Sequence, residues 1–329
     1  MKLLVTGGLG FIGSNFILQT VKNYPDYEII NIDDELDGSN HKSLQKIQNN
    51  KNYKFVKGNI TNSNLMEKLI SQCDQIINFA AESHVDRSIA NARPFVDSNI
   101  LGTFTILEIL KNDKTKKLIQ ISTDEVFGDL KSGSAVEDFK LNPSSPYSSS
   151  KASAELLVNS YIITYGVNAI ITRCTNNYGP HQHPEKLIPK TIILADQNNK
   201  IPVYNNGQGI RDWIHVNDHC SAILKIMHEG FTGEYYNISA KNELNVITIV
   251  KKILSIMDKS PDNFTFAENR PGHDDRYSLD SSKLRNSLGW KPAIDFEQGL
   301  EDTVNWYLNN REWWSDFDLS FMNGYQWES

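Results

Sequence analysis

The sequence predicts an α/β fold in which a doubly wound parallel sheet is joined to a smaller C-terminal domain. In the first half of the 329 residues, short β-branched runs alternate with amphipathic segments of helix length. That alternation is typical of a parallel sheet with helices on both faces. After about Asn176 the pattern changes, because prolines at 180, 184, 189 and 202 and the polar segment 205–209 break the chain into shorter pieces.

The elements of the first half follow in order from these patterns. Buried strands are predicted at residues 2–6, 27–32, 53–57, 75–79, 117–122 and 168–173. Helices are predicted near residues 11–23, 65–72, 95–111 and 147–165. We expect residues 1–175, completed by 213–238, to form the sheet domain. Residues 176–212 and 239–329 are expected to form a second domain that binds substrate near the carboxyl ends of the strands.

Composition narrows the class of protein. The net charge of −7 argues against a general nucleic-acid or anionic-membrane surface, which would need a basic field. The three cysteines lack CxxC spacing, which fits a reducing cytoplasm rather than a disulfide framework. No apolar run is long enough to span a bilayer and no secretory signal begins the chain, so we expect a cytoplasmic protein.

A glycine-rich turn, Gly7-Gly8-Leu9-Gly10-Phe11-Ile12-Gly13, follows the first strand and runs into a helix. Glycines let the backbone approach a pyrophosphate closely, and the helix N-terminus offers free N–H groups to it. Asp33, at the end of the second strand, can accept hydrogen bonds from both ribose hydroxyls. Because Asp34 and Glu35 follow with no Arg nearby, a 2′-phosphate would meet three carboxylates. The pattern therefore predicts a Rossmann-type domain that binds NAD rather than NADP.

Tyr147 and Lys151 have YxxxK spacing on a predicted helix, which places them on one face. A lysine ammonium beside a phenol favours the phenolate, so we expect the pKa of Tyr147 to fall below its usual value of about 10. Tyr147 could then remove a proton from a hydroxyl while hydride leaves the same carbon for NAD. The spacing by itself also fits an ordinary helix with a surface Tyr and Lys.

The fifth strand ends in Thr123-Asp124-Glu125. Two adjacent carboxylates at the carboxyl end of a central strand are costly unless they are hydrogen-bonded or used in chemistry. A turn with solvated acids would explain the motif in isolation. Beside Tyr147 and Lys151, an acid/base pair is the favoured interpretation.

Taken together, these segments resemble the nucleotide-sugar 4,6-dehydratases of the extended short-chain dehydrogenase/reductase superfamily. The resemblance covers nearly the whole chain, and the Thr123-Asp124-Glu125 triplet is its most specific part, because related epimerases usually carry small residues there. The matching segments are 7–13, 80–88, 123–125, 147–151, 176–180, 184–189, 211–213 and 270–274.

The resemblance implies a three-step reaction with NAD bound throughout. Tyr147 removes the O4 proton as C4 loses hydride, with Thr123 and Lys151 tuning the exchange. Glu125 then abstracts the C5 proton while Asp124 protonates the departing 6-hydroxyl. Return of hydride to C6 gives a 4-keto-6-deoxyglucose nucleotide, a step toward rhamnose-type deoxysugars. UDP-glucose and dTDP-glucose both remain possible substrates, because they differ by one methyl group.

The resemblance also assigns cofactor-binding residues. Relatives often carry an Asp where this chain has Asn59, and we expect the Asn59 carbonyl oxygen to accept from the adenine amino group instead. The other cofactor contacts that it implies are Ile60, Ala80, Ala81, Asn99, Tyr147 and Lys151.

Cations are needed to hold the substrate pyrophosphate in an acidic protein. Arg211 and Arg270 are expected to pair with its oxygens, because a guanidinium binds phosphate at two points. A surface salt bridge between Arg211 and Asp212 is the alternative. The other substrate contacts implied are Ser83, His84, Asn176, Lys186, Leu187, Pro202, Tyr204, Asn245 and His273.

Three further expectations concern metals, subunits and other activities. His181 and His183 lack a third ligand at suitable spacing, so no metal is expected. Related enzymes pair the helices near 95–111 and 147–165 between subunits, which implies a homodimer. A nucleotide-sugar 4-epimerase would share the fold, NAD, Tyr147 and Lys151 but would not explain the Asp124–Glu125 pair. A non-catalytic NAD-binding sensor is the alternative from a different class.

Overall fold

The computed structural model describes residues 1–269 and 271–323. The strands, in chain order, are β1 (Lys2–Thr6), β2 (Glu28–Asp33), β3 (Tyr53–Lys57), β4 (Gln75–Asn78), β5 (Lys117–Thr123), β6 (Ala169–Cys174), β7 (Asn176–Tyr178), β8 (Ile201–Tyr204), β9 (Ile210–His215), β10 (Tyr235–Ile238), β11 (Glu243–Asn245) and β12 (Phe264–Ala267). The α-helices are α1 (Phe11–Asn23), α2 (Ser63–Ile70), α3 (Val85–Ala90), α4 (Arg93–Phe95), α5 (Gly102–Leu110), α6 (Pro146–Tyr165), α7 (Leu187–Asp196), α8 (Val216–Glu229), α9 (Val246–Ile256), α10 (Ser282–Leu288), α11 (Phe296–Asn309) and α12 (Arg311–Trp314).

Seven strands form one parallel sheet in the order β10-β6-β5-β4-β1-β2-β3, which confirms the predicted α/β fold. All of the predicted strands belong to it, and their observed ends differ from the predicted ones by at most one residue. The seventh strand, β10, comes from the second half of the chain. Two smaller sheets, β11-β9-β7 and β12-β8, lie in that half as well.

Both faces of the large sheet are buried, which explains why its strands are apolar throughout rather than alternating. Leu3 and Val5 point to the face covered by α1 and α8, whereas Leu4 points to the face covered by α2, α5 and α6. Successive side chains of a strand point to opposite faces, so each strand supplies two hydrophobic cores. A third core lies in the second half, where α7, α9 and α11 pack together. Within the described residues, no helix is long and apolar enough to cross a membrane.

The predicted helix at 95–111 is interrupted, and that prediction was wrong in detail. A wide π-helical turn, Val96–Leu101, separates α4 from α5. Its buried Asn99 accepts from the backbone N–H of Glu82 at 2.9 Å and donates to the Ser150 hydroxyl at 2.8 Å. Such turns insert one extra residue into a helix and often mark functional regions. Here the turn carries Asn99 toward the loop that follows β4.

A buried ion pair joins β6 to α6. Arg173 donates to both carboxylate oxygens of Glu155, at 2.7 to 3.1 Å, and its guanidinium lies over the rings of Phe127 and Tyr235. We predict that Arg173→Met lowers the free energy of unfolding by about 3–5 kcal/mol, because it leaves the Glu155 charge buried without its partner. Lys252→Met, which removes the exposed ion pair with Glu297, should lower the free energy of unfolding by no more than about 1 kcal/mol. Equal losses in urea denaturation would contradict the prediction.

Candidate active site

A cleft of about 320 Å³ lies at the carboxyl ends of the strands of the large sheet. Parallel α/β sheets bind ligands at this edge. Most of the residues that the sequence singled out line it. They are Gly7, Gly10, Phe11, Ile12, Gly13, Asp33, Asn59, Ile60, Ala80, Ala81, Ser83, His84, Thr123, Asp124, Glu125, Tyr147, Lys151, Asn176 and Lys186.

The turn between β1 and α1 has the form that a dinucleotide pyrophosphate requires. A Cβ atom at Gly13 would lie 2.4 Å from the carbonyl oxygen of Gly7, so only glycine lets the helix start this close to the strand. Gly7 has a φ of +67°, which also favours glycine. Gly10 precedes α1 without a capping side chain, and Phe11, Ile12 and Gly13 line the cleft. The first-turn N–H groups of α1 can therefore bind an anion.

The carboxylate of Asp33 lies at the end of β2, where a ribose would bind. It accepts from the backbone N–H groups of Leu9 and Glu35, each at 2.9 Å, and from the Ser39 hydroxyl at 2.6 Å. These bonds fix the carboxylate at the cleft wall. Of the three carboxylates expected to meet a 2′-phosphate, Glu35 has cationic neighbours, because Lys57 forms an ion pair with it and His41 lies 2.7 Å from it.

Tyr147 and Lys151 lie one above the other on α6 and are both buried. The helix begins at Pro146 with a capping box formed by Ser145 and Ser148, which fixes its first turn and therefore Tyr147. The Lys151 ammonium donates to the carbonyl oxygen of Ile121 in β5 at 2.6 Å. Burial lowers the pKa of Lys151 to about 8.

The pKa of Tyr147 is shifted in the direction opposite to the one expected from the sequence. Burial raises it well above its ordinary value, the charge of Glu125 raises it further, and a hydrogen bond with Thr123 lowers it only in part. The ammonium of Lys151 donates to the carbonyl oxygen of Ile121 rather than to the phenol oxygen of Tyr147. The protein's own groups therefore keep the phenol protonated, and another positive charge is needed to favour the phenolate.

Asp124 and Glu125 begin a short 3₁₀ turn (Asp124–Phe127) that follows β5 directly. Thr123 fixes this turn, since its hydroxyl accepts from the Glu125 N–H at 3.3 Å and donates to Asp124 Oδ1 at 3.1 Å. Burial and the neighbouring Glu125 charge raise the pKa of Asp124 well above its ordinary value. Its Oδ2 atom is buried and has no hydrogen-bond partner among the described residues. A carboxyl group whose pKa is raised, beside a second carboxyl group, can serve as an acid/base pair.

A charged bridge that the sequence reasoning missed closes one side of the cleft. Arg87, at the start of α3, donates to Asp37 at 2.5 Å and to the buried Glu185 at 2.9 Å. Burial opposes ionisation of Glu185, but His84, His183 and Lys186 together lower its pKa. Lys186 donates to the carbonyl oxygen of Ser83 at 3.0 Å. The bridge ties the loop before α7 to the loop after β4, and no local motif indicates that these loops meet.

Other predicted site residues do not line this cleft. Asn99 hydrogen-bonds the backbone of Glu82 in the loop after β4, next to Ser98, which lines the cleft, and its cofactor contact stays a prediction. Arg270 lies outside the described residues. The remaining ones belong to the second half of the chain and are Leu187, Pro202, Tyr204, Arg211, Asn245 and His273.

Arg211 in β9 is buried and does not pair with Asp212, so the surface salt bridge is excluded. Its guanidinium donates to the carbonyl oxygens of Ile210, Asp274 and Asp275 at 2.8 to 3.2 Å. A Cβ atom at Gly209 would contact Arg211 Nη1 at 3.5 Å and His273 Nε2 at 3.3 Å, so these two side chains flank one strand end. The positive charge of Arg211 offsets part of the rise in the pKa of Asp124, which indicates that Arg211 lies near Asp124.

Comparison with known proteins agrees with this site. The family model described as GDP-mannose 4,6 dehydratase matches residues 4–303. A dTDP-glucose 4,6-dehydratase of Mycobacterium tuberculosis is 42% identical over 318 residues, covering 95% of both chains. The crystal structure of dTDP-glucose 4,6-dehydratase from Bacillus anthracis in complex with NAD has a TM-score of 0.91 and 45% identity, covering 97% of this chain and all of that one.

The epimerases are more distant in sequence. The UDP-glucuronic acid 4-epimerase from Bacillus cereus, solved with UDP-glucuronic acid and NAD, has a TM-score of 0.89 but only 28% identity, over 94% of this chain. The fold is shared between both groups, whereas the sequence agrees better with the dehydratases. The chain belongs to the nucleotide-sugar 4,6-dehydratase family of extended short-chain dehydrogenases/reductases.

Proposed function

We propose that this chain is an NAD-dependent hydro-lyase that converts a nucleotide-diphosphate-glucose to its 4-keto-6-deoxy derivative. The observation that carries the proposal is the buried Asp124, with its raised pKa, beside Glu125 on the same cleft wall as Tyr147. An epimerase would need the tyrosine but not the two carboxyl groups. The names of the relatives favour dTDP-glucose as the substrate, with UDP-glucose as the second candidate.

Tyr147, Glu125 and Asp124 each transfer one proton in the proposed reaction. Tyr147 takes the O4 proton while the C4 hydrogen leaves as hydride. Glu125 removes the C5 proton, which the new C4 ketone has made acidic, and Asp124 donates its proton to the departing 6-hydroxyl. Burial and the charge of Glu125 raise the pKa of Asp124, which favours its protonated form. After water has left, the C5 proton is restored as hydride returns to C6.

The glycine turn, Asp33 and the uncapped start of α1 are suited to hold NAD. When bound, NAD supplies the hydride acceptor and later the hydride donor, and its positively charged ring favours the phenolate of Tyr147. Lys151, fixed by Ile121, is placed to contact the adjacent ribose and to carry the proton away. Because the cofactor ends in its starting form, the enzyme needs no second substrate.

Mass spectrometry tests the proposed reaction directly. The purified protein is incubated separately with dTDP-glucose and UDP-glucose, without added cofactor. We expect a product lighter by one water, formed faster from dTDP-glucose. If product forms only with added NAD, the cofactor does not co-purify but the reaction stands. An unchanged mass with inversion at C4 would establish the epimerase instead, and NAD binding without turnover would favour the sensor.

We also propose a homodimer, built by the exposed apolar face of the helices that cover one side of the sheet. Leu156 and Ile163 are two turns apart on α6 and are 60% and 75% exposed. Leu101, at the end of the π-helical turn, and Phe104 in α5 are exposed as well, and both of these elements pack against α6. Exposed apolar side chains on adjoining helices are typical of a subunit interface. A second copy of the chain, through twofold symmetry, would cover all four side chains.

Charged substitutions on that face should therefore produce monomers. We predict that the double variant Leu156→Glu/Ile163→Glu elutes with the mass of one 37.4 kDa chain in light scattering, while the unmodified protein has twice that mass. Phe266→Glu is the matched control, because Phe266 is 59% exposed on β12, a strand of the second half that pairs with β8. A dimeric double variant would place the interface elsewhere.

The three unpaired buried cysteines support a reducing cytoplasmic location for this enzyme.

A further inference from the structure

The adenosine end of the cleft contains an Asp–Asn pair that the relatives' pattern does not predict. Asp34 follows β2 and Asn59 follows β3, and both line the cleft. Asn59 Nδ2 donates to Asp34 Oδ2 at 2.8 Å. Asn59 Oδ1 accepts from the backbone N–H of Thr61 at 2.8 Å and from its hydroxyl at 2.7 Å. Two neighbouring strand ends are thus joined through one amide group.

The orientation of the Asn59 amide follows from the chemistry of its partners. A backbone N–H can only donate, so the Asn59 atom that faces Thr61 must be the oxygen. The nitrogen then faces Asp34, whose ionised carboxylate can only accept. No other arrangement satisfies both contacts.

This orientation excludes the role that the sequence suggested for Asn59. Its carbonyl oxygen has two lone pairs, and both accept from Thr61. The remaining amide hydrogens can only donate, which does not suit an amino group as a partner. The expectation that Asn59 accepts from the adenine amino group is therefore wrong.

We propose that the carboxylate of Asp34 accepts the hydrogen bond from the 6-amino group of adenine, and that Asn59 is a positioning residue for it. The bond from Asn59 fixes Asp34 Oδ2 at the cleft wall, one residue after the ribose-binding Asp33. The ammonium of Lys57 forms its ion pair with Glu35 and acts on the Asp34 carboxylate only through its charge. The carboxylate function is thus carried by the loop after β2 instead of the loop after β3.

A carboxylate at this position distinguishes adenine from hypoxanthine. The 6-amino group of adenine donates to Asp34, whereas the 6-oxo group of hypoxanthine brings one acceptor against another. Sites that hydrogen-bond a ligand group discriminate strongly against the analogue that lacks it. The enzyme should therefore prefer NAD to nicotinamide hypoxanthine dinucleotide, independently of any sugar substrate.

The test is a competition between these two dinucleotides. The full-length chain is freed of bound dinucleotide on charcoal and mixed with equal concentrations of both in excess. Gel filtration then isolates the protein, and chromatography of the released nucleotides gives the bound ratio. We expect NAD to exceed the analogue by roughly tenfold, the usual scale for one hydrogen bond to a charged group. Asp34→Ala should reduce the ratio to about one, and Asn59→Ala should give a value of about three.

Matched variants separate this role from simpler ones. Asp37→Ala removes an exposed carboxylate of the same loop, which pairs with Arg87, and should leave the ratio unchanged. If residue 59 itself hydrogen-bonded the adenine amino group, Asn59→Asp would raise the ratio of bound NAD to bound analogue, and Asp34→Ala would leave that ratio unchanged. This result would overturn the proposal. Equal binding of both dinucleotides by the unmodified protein would overturn it too. The inference rests on the proposed function with NAD as the cofactor. If NAD is not the cofactor, the protein should bind neither dinucleotide, which differs from equal binding of both.

Discussion

The variant Glu125→Gln is expected to oxidise its substrate at C4 and then to stop, with dehydrated product formed about 10²- to 10⁴-fold more slowly. Glutamine has nearly the shape of glutamate but cannot take the C5 proton. Hydride transfer from C4 does not need this carboxylate, so reduced cofactor should accumulate on the enzyme. Mixing the variant with dTDP-glucose and following the near-ultraviolet absorbance of reduced nicotinamide measures this directly.

Removal of the Glu125 charge should also help the first step. Its charge raises the pKa of Tyr147 and of Asp124, so the phenolate should form more easily in the variant. Glu297→Gln is the control, because Glu297 is an exposed partner of Lys252 far from the cleft and should leave turnover unchanged. Water loss at the normal rate in Glu125→Gln would show that Glu125 is not the base that takes the C5 proton.

The second large effect is expected for Tyr147→Phe, which should lose both reduced cofactor and product, with turnover falling by about 10²- to 10⁴-fold. Without the phenol oxygen the variant lacks the base that the proposed mechanism assigns to the O4 proton, so the reaction should stop before C4 is oxidised. The ring itself remains packed, since Phe95 contacts its edge with 6.2 Å between the ring centroids. Stopped-flow absorbance after mixing with dTDP-glucose tests the first step alone.

Tyr161→Phe is the matched control on the same helix. Tyr161 donates to Glu108 away from the cleft, so its variant also loses one buried hydroxyl but should retain the oxidation step. If Tyr147→Phe still produced reduced cofactor at the normal rate, another group would be the first base. Together, the variants of Tyr147 and Glu125 separate oxidation from elimination.

Local sequence patterns were sufficient to predict the strands of the large sheet, because strands that are buried on both faces are continuous apolar runs in the sequence. They also located the glycine turn and the acids after β5, which the structure places in the cleft, because each is a run of neighbouring residues. The π-helical turn at Val96–Leu101 could not be predicted, because it depends on contacts of Asn99 with Glu82 and Ser150 from other elements. Helical periodicity does not contain that information.

Electrostatic details of the site depend on distant partners in the same way. The YxxxK spacing places Lys151 near Tyr147, but the Ile121 carbonyl group in another strand determines where its ammonium is directed. Arg87 and Glu185 are far apart in the sequence, and only the fold brings them together. Likewise, Asn59 was assigned an accepting role that Thr61 and Asp34 together exclude.

In the proposed reaction, water is eliminated while one hydride moves from C4 to C6 within the same sugar. Incubation with dTDP-glucose deuterated at C4, followed by mass spectrometry and NMR of the product, tests this most directly. The proposed mechanism predicts a product lighter by one water that carries the deuterium at C6. A product of unchanged mass with deuterium retained at an inverted C4 would contradict it, as would dehydration with the deuterium lost to solvent.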